Sequence, residues 1–321
     1  MSAAASIPVT IDTFTRAETD LYFSHFVKDG ALGKFVHNRE PTPLDEQKVV
    51  RMNRDTLYSC AVFDLDAAPV TITLPDAGKR FLSMQVWDED EYCPLVTYEP
   101  GRHTFSRESI GTRYLGVGVR ILVNPSDPRD VRAVNALQDA IKVEQQSPGT
   151  FEIPNWDPDD QTKVRGALEQ LGRAMPDWHH AFGAKDQVDP VRHLIGAAVG
   201  WGGNPDKDAF YVNLSPATND GKIVHLLHIP ADVPVDGFWS VSVYNAHGFF
   251  EPNPSNAYSI NNITAVKNAD GSVEIQFGSC DGSVPNCLPV TKGWNATVRL
   301  YRPRPEILDG RWKFPDLHAI H

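Results

Sequence analysis

The decapeptide RMNRDTLYSC, residues 51–60, sets Asn53, Arg54 and Asp55 ahead of a strand-like stretch that carries Tyr58. These residue types could do chemistry together. A guanidinium holds a carboxylate or phosphate through paired hydrogen bonds, which makes Arg54 a candidate anchor for a substrate anion. Tyr58 and Asp55 are candidates for proton transfer, and Asn53 for orienting a ligand or donating to a developing oxyanion. The same groups could instead satisfy one another as a buried structural clamp, with Arg54 paired to Asp55 beside Asn53.

Two further stretches invite a site. In QVWDEDEYCP, residues 85–94, four acidic residues follow Trp87. Close carboxylates raise one another's pKa or hold a hard cation. The loop lacks the glycine and terminal glutamate of a calcium loop, so Glu89 and Asp90 read as a solvated turn. Asp88 ends the alternation of RFLSMQVWD and is expected to point at the same cavity as Tyr58. In residues 237–260, alternation places Trp239, Val241 and Val243 on one face and Ser240, Ser242 and Tyr244 on the other, leading into Asn245 and His247. That polar face lines a pocket or forms the solvated side of a sandwich.

Other chemistries find little support. His225 and His228 lie three apart in a strand and face opposite ways, and no His-x-His, His-Glu-x-x-His or Cys/His cluster suggests a metal. No Gly-x-Ser-x-Gly elbow or phosphate-binding glycine loop occurs. GVGVR gives Gly116 and Gly118 without the third glycine of a dinucleotide fingerprint, so no nucleotide cofactor is expected.

The elements that must position these residues can be sketched. An N-terminal helix, with Phe14, Ala17, Leu21 and Phe26 inward, is expected to stop at Gly30. Short β-rich runs from Thr56 to Asn124 suggest an antiparallel meander. Asp127-Pro128, Asp157-Pro158 and Asp189-Pro190 then each place a capping carboxylate before a first-turn proline, and so mark three helices. Their apolar faces read as Val131, Val134, Leu137 and Ile141, then Val164, Leu168, Leu171 and Met175, then Val191, Leu194, Ile195 and Ala198. Strands return from about Phe210, and Asp270-Gly271 in KNADGSV signals a hairpin. The fold class expected is α+β, mostly β: an N-terminal antiparallel β domain over 1–205, including a helical bridge, and a C-terminal jelly-roll-like sandwich over 206–321.

The chain has 321 residues, 41% hydrophobic and 22% charged, with a formal charge of -11. This net negative field disfavours nucleic acid and anionic membrane surfaces as partners. No apolar run approaches the roughly 20 residues of a membrane span, and the first residues do not resemble a secretory signal, so a cytoplasmic location is expected unless a leader has been removed. Cys60 and Cys93 read as free thiols, while Cys280 and Cys287 could be bridged or free.

The stretch NRDTLYSCAVFDLDAAPVTITLPDAGKRFLSMQVWD resembles the family called domain of unknown function 1254, and DGFWSVSVYNAHGFFEPNPSNAYSI with the later NADGSVEIQFG and RLYRP resembles domain of unknown function 1214. The resemblance implies two β-rich parts, the second jelly-roll-like, and homo-oligomers, but no reaction. Asn53, Arg54, Asp55, Thr56 and Tyr58 match the first motif; Trp239, Tyr244, Asn253 and Tyr258 match the second. In NCLPVTKGW, Cys287 stands where the family often has an aromatic residue. Many relatives are secreted.

Together these readings describe a cofactor-independent small-molecule enzyme doing acid-base chemistry, such as hydrolysis, elimination or isomerisation, on an anionic or polar substrate. Tyr58, Asp55, Asp88 and His247 are its expected catalytic residues. Asn53, Arg54, Trp87, Trp239 and Tyr244 are its expected ligand contacts. The alternatives are a noncatalytic ligand- or carbohydrate-binding sandwich and a structural oligomer whose motif is a clamp.

Overall fold

A computed structural model describes residues 5–47 and 51–320. The chain forms two compact units. The first comprises residues 1–39, 58–121 and 132–206; the second comprises 40–57, 122–131 and 207–321. Two stretches from the N-terminal half are thus built into the C-terminal unit.

In the first unit the main sheet takes β1 (Val36–His37), β2 (Thr56–Asp64), β4 (Leu82–Trp87), β5 (Leu95–Thr97) and β7 (Tyr114–Leu122), while β3 (Val70–Leu74), β6 (Gly101–Phe105) and β8 (Lys142–Gln145) form a smaller one. The strand order β1-β2-β7-β4-β5 is not the meander expected from spacing. Burial explains the difference. β4 and β7 are buried at every position and take central places, whereas β3 alternates between buried and half-buried residues and leaves for the smaller sheet.

The helices of this unit follow their local signals. The carboxylates of Asp157 and Asp189 each accept two backbone N–H groups at the starts of α4 (Pro158–Gly172) and α5 (Pro190–Gly200). Asp127 likewise accepts the Arg129 N–H ahead of α3 (Pro128–Asp139). α1 (Phe14–Lys28) ends as expected, with Gly30 at φ 96°, and α2 (Arg107–Ile110) is a single turn. Phe14 and Ala17 of α1 pack with Leu168 of α4 and Ile195 of α5. Some faces depart from the sequence pattern: Val191 and Leu171 are exposed, while Glu18, Thr19, Asp20 and His193 are buried. Side-chain partners decide this. Glu18 is held by Arg165 in two hydrogen bonds of 2.8 and 2.6 Å, and Thr19 accepts the Trp201 indole at 3.1 Å.

The second unit is a sandwich of two four-stranded sheets. One has the order β14 (Cys287–Leu288), β13 (Val273–Phe277), β10 (Val224–Ile229), β16 (His318–Ile320), and the other β12 (Ser259–Asn261), β11 (Trp239–Tyr244), β15 (Asn295–Tyr301), β9 (Ala209–Leu214). All pairs are antiparallel except β13 with β14. Side chains from both sheets share one core, including Leu227, Ile275, Phe277, Trp239, Val241, Val298 and Trp294. A short helix, α6 (Pro305–Leu308), follows β15. The Asp270-Gly271 turn forms, with Asn268 and Ser272 joined through their backbones, but it does not close a hairpin: β13 pairs with β10, and β12 with β11. Cys280 and Cys287 are bridged, with Cα atoms 5.5 Å apart, and Cys60 and Cys93 are thiols outside that bridge. Among the described residues no helix is long and apolar enough to cross a membrane.

Candidate functional site

The alternation read from residues 239–244 is realised in β11, but neither face is solvated. Trp239, Val241 and Val243 enter the sandwich core, while Ser240, Ser242 and Tyr244 are buried on the opposite side. Pairing across the sheet extends this polar face. Ser240 lies opposite Asn261 and Arg299, and Ser242 opposite Ser259 and Thr297.

Residues 51–56 lie against that face within the same unit. Arg299 donates to the Arg51 carbonyl at 2.6 Å, to Ser242 Oγ at 3.0 Å and to Tyr244 Oη at 2.8 Å; Tyr244 in turn donates to the Met52 carbonyl at 2.8 Å. Asp55 is 1% exposed, and its Oδ1 accepts from Ser259 Oγ at 2.6 Å and Asn261 Nδ2 at 2.9 Å. Asn53 accepts the Asp55 N–H at 2.8 Å and donates to Tyr301 Oη at 3.0 Å. Burial raises the Tyr244 pKa. Burial opposes the charge of Arg299, but Tyr244, Tyr301 and Asp55 outweigh it and raise its pKa.

The Arg54–Asp55 clamp weighed from the sequence does not form. Asp55 is tied to Ser259 and Asn261, not to Arg54. Arg54 is half-buried, donates to the Thr42 carbonyl, and lies over the rings of Phe250 at 6.0 Å and Tyr258 at 5.6 Å. Among the described residues no carboxylate pairs with it. Burial lowers its pKa. Tyr258 also borders a small recess with Tyr244, Asn245, Glu251 and Asn253, whose roughly 10 Å³ holds about one water. His247 is exposed in the turn closed by Asn245 and Gly248. Trp239 is buried in the core and offers no surface for a ligand.

Tyr58, Trp87 and Asp88 belong to the first unit. Arg120, which sequence reasoning passed over, brings the first two together: its guanidinium lies 5.4 Å from the Tyr58 ring and 5.9 Å from that of Trp87, and donates to Gln85 Oε1 at 2.7 Å. A charged residue inside the otherwise apolar YLGVGVRIL was the available signal.

The acidic loop after Trp87 is not a solvated turn. Asp88, Glu89 and Glu91 are buried, and only Asp90 keeps substantial exposure. Asp88 Oδ1 accepts the N–H groups of Asp90 and Tyr92 at 2.8 and 2.9 Å, and Glu89 accepts that of Tyr114 at 3.0 Å. Burial pushes Asp88 up to about 7 despite those two bonds. Burial also carries Asp20 up to about 6, opposed by the Trp156 indole, and sets Glu91 well above the usual carboxylate range. Glu91 holds a left-handed backbone at φ 62°, a conformation costing about 1–3 kcal/mol that collects at functional sites.

The comparisons agree with this architecture. Residues 32–106 match the model of protein of unknown function DUF1254, and residues 212–305 match that of protein of unknown function DUF1214. The chain carries the DUF1254–DUF1214 pair. Among solved structures it is similar to the VPA0106 protein from Vibrio parahaemolyticus, at 18% identity and a TM-score of 0.73 over 97% of this chain and 98% of that one. It is also similar to an uncharacterized protein from Burkholderia cenocepacia, at 14% identity and a TM-score of 0.54 over 96% and 86% of the two chains. These likenesses show the fold. No curated protein matches the chain. Residues 51–56 lie within the DUF1254 match, yet Arg299, which donates to the Arg51 carbonyl, and Ser259 and Asn261, which donate to Asp55, lie within the DUF1214 match.

Proposed function

We propose that this DUF1254–DUF1214 protein binds a small anionic molecule through Arg54. The supporting observation is the state of that guanidinium: half-buried, lying over Phe250 and Tyr258, bonded to the Thr42 carbonyl and without a carboxylate partner among the described residues. A partly desolvated cation in that state favours a carboxylate or phosphate. Asn53 and Asp55 act differently, as the clamp that fixes the backbone on either side of Arg54.

A panel of phosphate, sulfate, citrate and malonate, followed by thermal unfolding, tests the reading. A bound anion raises the melting temperature by mass action, and Arg54→Lys, which removes the planar fork, is expected to weaken that response at least tenfold at an unchanged ligand-free melting temperature. Loss of stability in Arg54→Lys with no response to any anion in the wild type would leave Arg54 a structural residue.

Acid-base catalysis remains a second reading, favoured by Asp88. A carboxyl at about 7 suits a general acid or base near neutral pH. It calls for turnover in a panel of small hydrolase, lyase and isomerase substrates that disappears in Asp88→Asn. The Cys280–Cys287 bridge supports an oxidising compartment over the cytoplasm, and thiol alkylation of the protein taken directly from cells would read its state there.

A further inference from the structure

We propose that Trp87 and Glu91 of the first unit form a binding site for one acceptor oxygen, held beside Gly202. Gly202 N–H donates to Glu91 Oε1 at 2.8 Å, while Oε2 is buried and, among the described residues, without a partner. A Cβ built on Gly202 would lie 3.9 Å from Trp87 Nε1, and that indole nitrogen is also buried with no partner among the described residues. Both open groups therefore border the same glycine. At φ 77° Gly202 occupies backbone that disfavours side chains, and its carbonyl accepts from Arg120 at 3.5 Å.

Among the described residues Trp294 Nε1 of the second unit is likewise buried and unmet, but two indoles of the first unit are satisfied. Trp156 donates to Asp20 at 2.7 Å and Trp201 donates to Thr19 at 3.1 Å. Buried polar groups are nearly always satisfied, so two unmet ones around one glycine mark a place for an external partner. The chemistry of that partner follows from the donors. An indole N–H only donates. Burial, opposed by the Gly202 N–H bond and reinforced by the Glu18 and Asp88 carboxylates, raises the Glu91 pKa and so favours the neutral acid, whose free oxygen can carry the proton and donate as well. Two donors select a lone-pair oxygen, supplied by an ordered water or by a small carbonyl or carboxylate compound, and disfavour a metal ion. The left-handed backbone at Glu91, φ 62°, accompanies this placement of its carboxyl.

The test combines a crystal structure at about 1.5 Å with an indole ¹⁵N titration of the full chain by sodium acetate. The expected density lies about 2.7–3.1 Å from both Trp87 Nε1 and Glu91 Oε2. A saturable shift of the Trp87 indole signal, with those of Trp156 and Trp201 unmoved, assigns the site to carboxylate oxygens. Round density with no acetate response assigns it to water; either result supports the site. Glu91→Gln, which can still donate, is expected to retain the density, and Trp87→Phe to lose it. A dry gap, or a wild-type structure in which protein groups satisfy both atoms, overturns the proposal even if Trp87→Phe does not fold.

Discussion

Asp88 illustrates how one carboxyl can be both a structural part and a source of instability. Its Oδ1 closes the turn through the Asp90 and Tyr92 N–H groups, yet burial lifts its pKa to about 7. An acid whose folded pKa lies above its unfolded value binds more protons when folded in the interval between the two. Its favourable contribution is therefore complete at low pH and is lost as pH rises, here from about 4 to 7. Asp20, raised to about 6, works in the same direction. Asp88→Asn keeps the turn's acceptor and removes the charge. Urea unfolding should find it more stable than wild type at pH 8, with the gap closing by pH 4; a constant difference across that range would assign Asp88 no proton linkage. The sequence showed the four acids but not their burial. Whether a carboxylate is solvated depends on Tyr114, Gly202 and Arg16, which approach from distant parts of the chain.

Elements were legible where their causes are local. A capping aspartate acts on N–H groups two or three residues ahead, so Asp157 and Asp189 announced their helices. Trp239 to Tyr244 likewise declared two faces by alternation. What covers a face was hidden, since Asp55 meets Ser259 and Asn261 across 204 and 206 residues. The glycines of β7 show a similar limit. GVGVR reads as an incomplete nucleotide fingerprint, whereas a Cβ on Gly116 would come 2.3 Å from Phe23 and one on Gly118 2.6 Å from Trp87. The missing side chains let aromatic rings lie directly on a central strand. Gly116→Ala should lower stability by about 1–3 kcal/mol through overpacking. Gly166→Ala in α4, where a Cβ meets nothing within 4 Å, should be neutral or raise stability by up to about 1 kcal/mol. Equal effects in denaturant titrations would refute this packing account.

At the scale of the whole molecule, family boundaries and structural units do not coincide. The DUF1254 match covers 32–106, but residues 40–57 build into the second unit, as do 122–131. A fragment of residues 207–321 would lack Asp55 and the carbonyls of Arg51 and Met52 that accept from Arg299. Such a fragment is expected to unfold without a cooperative transition, and a synthetic peptide spanning 40–57 should restore one; cooperative unfolding of the fragment alone would show those contacts to be dispensable. The same interleaving sets a schedule during synthesis. The Arg51 carbonyl leaves the ribosome 248 residues before Arg299, its donor. At about 5–20 residues per second, that is a wait of roughly 10–50 s, during which Met52 and Leu44, which later pack against Tyr244, Phe250 and Tyr258, stay open to chaperones and proteases.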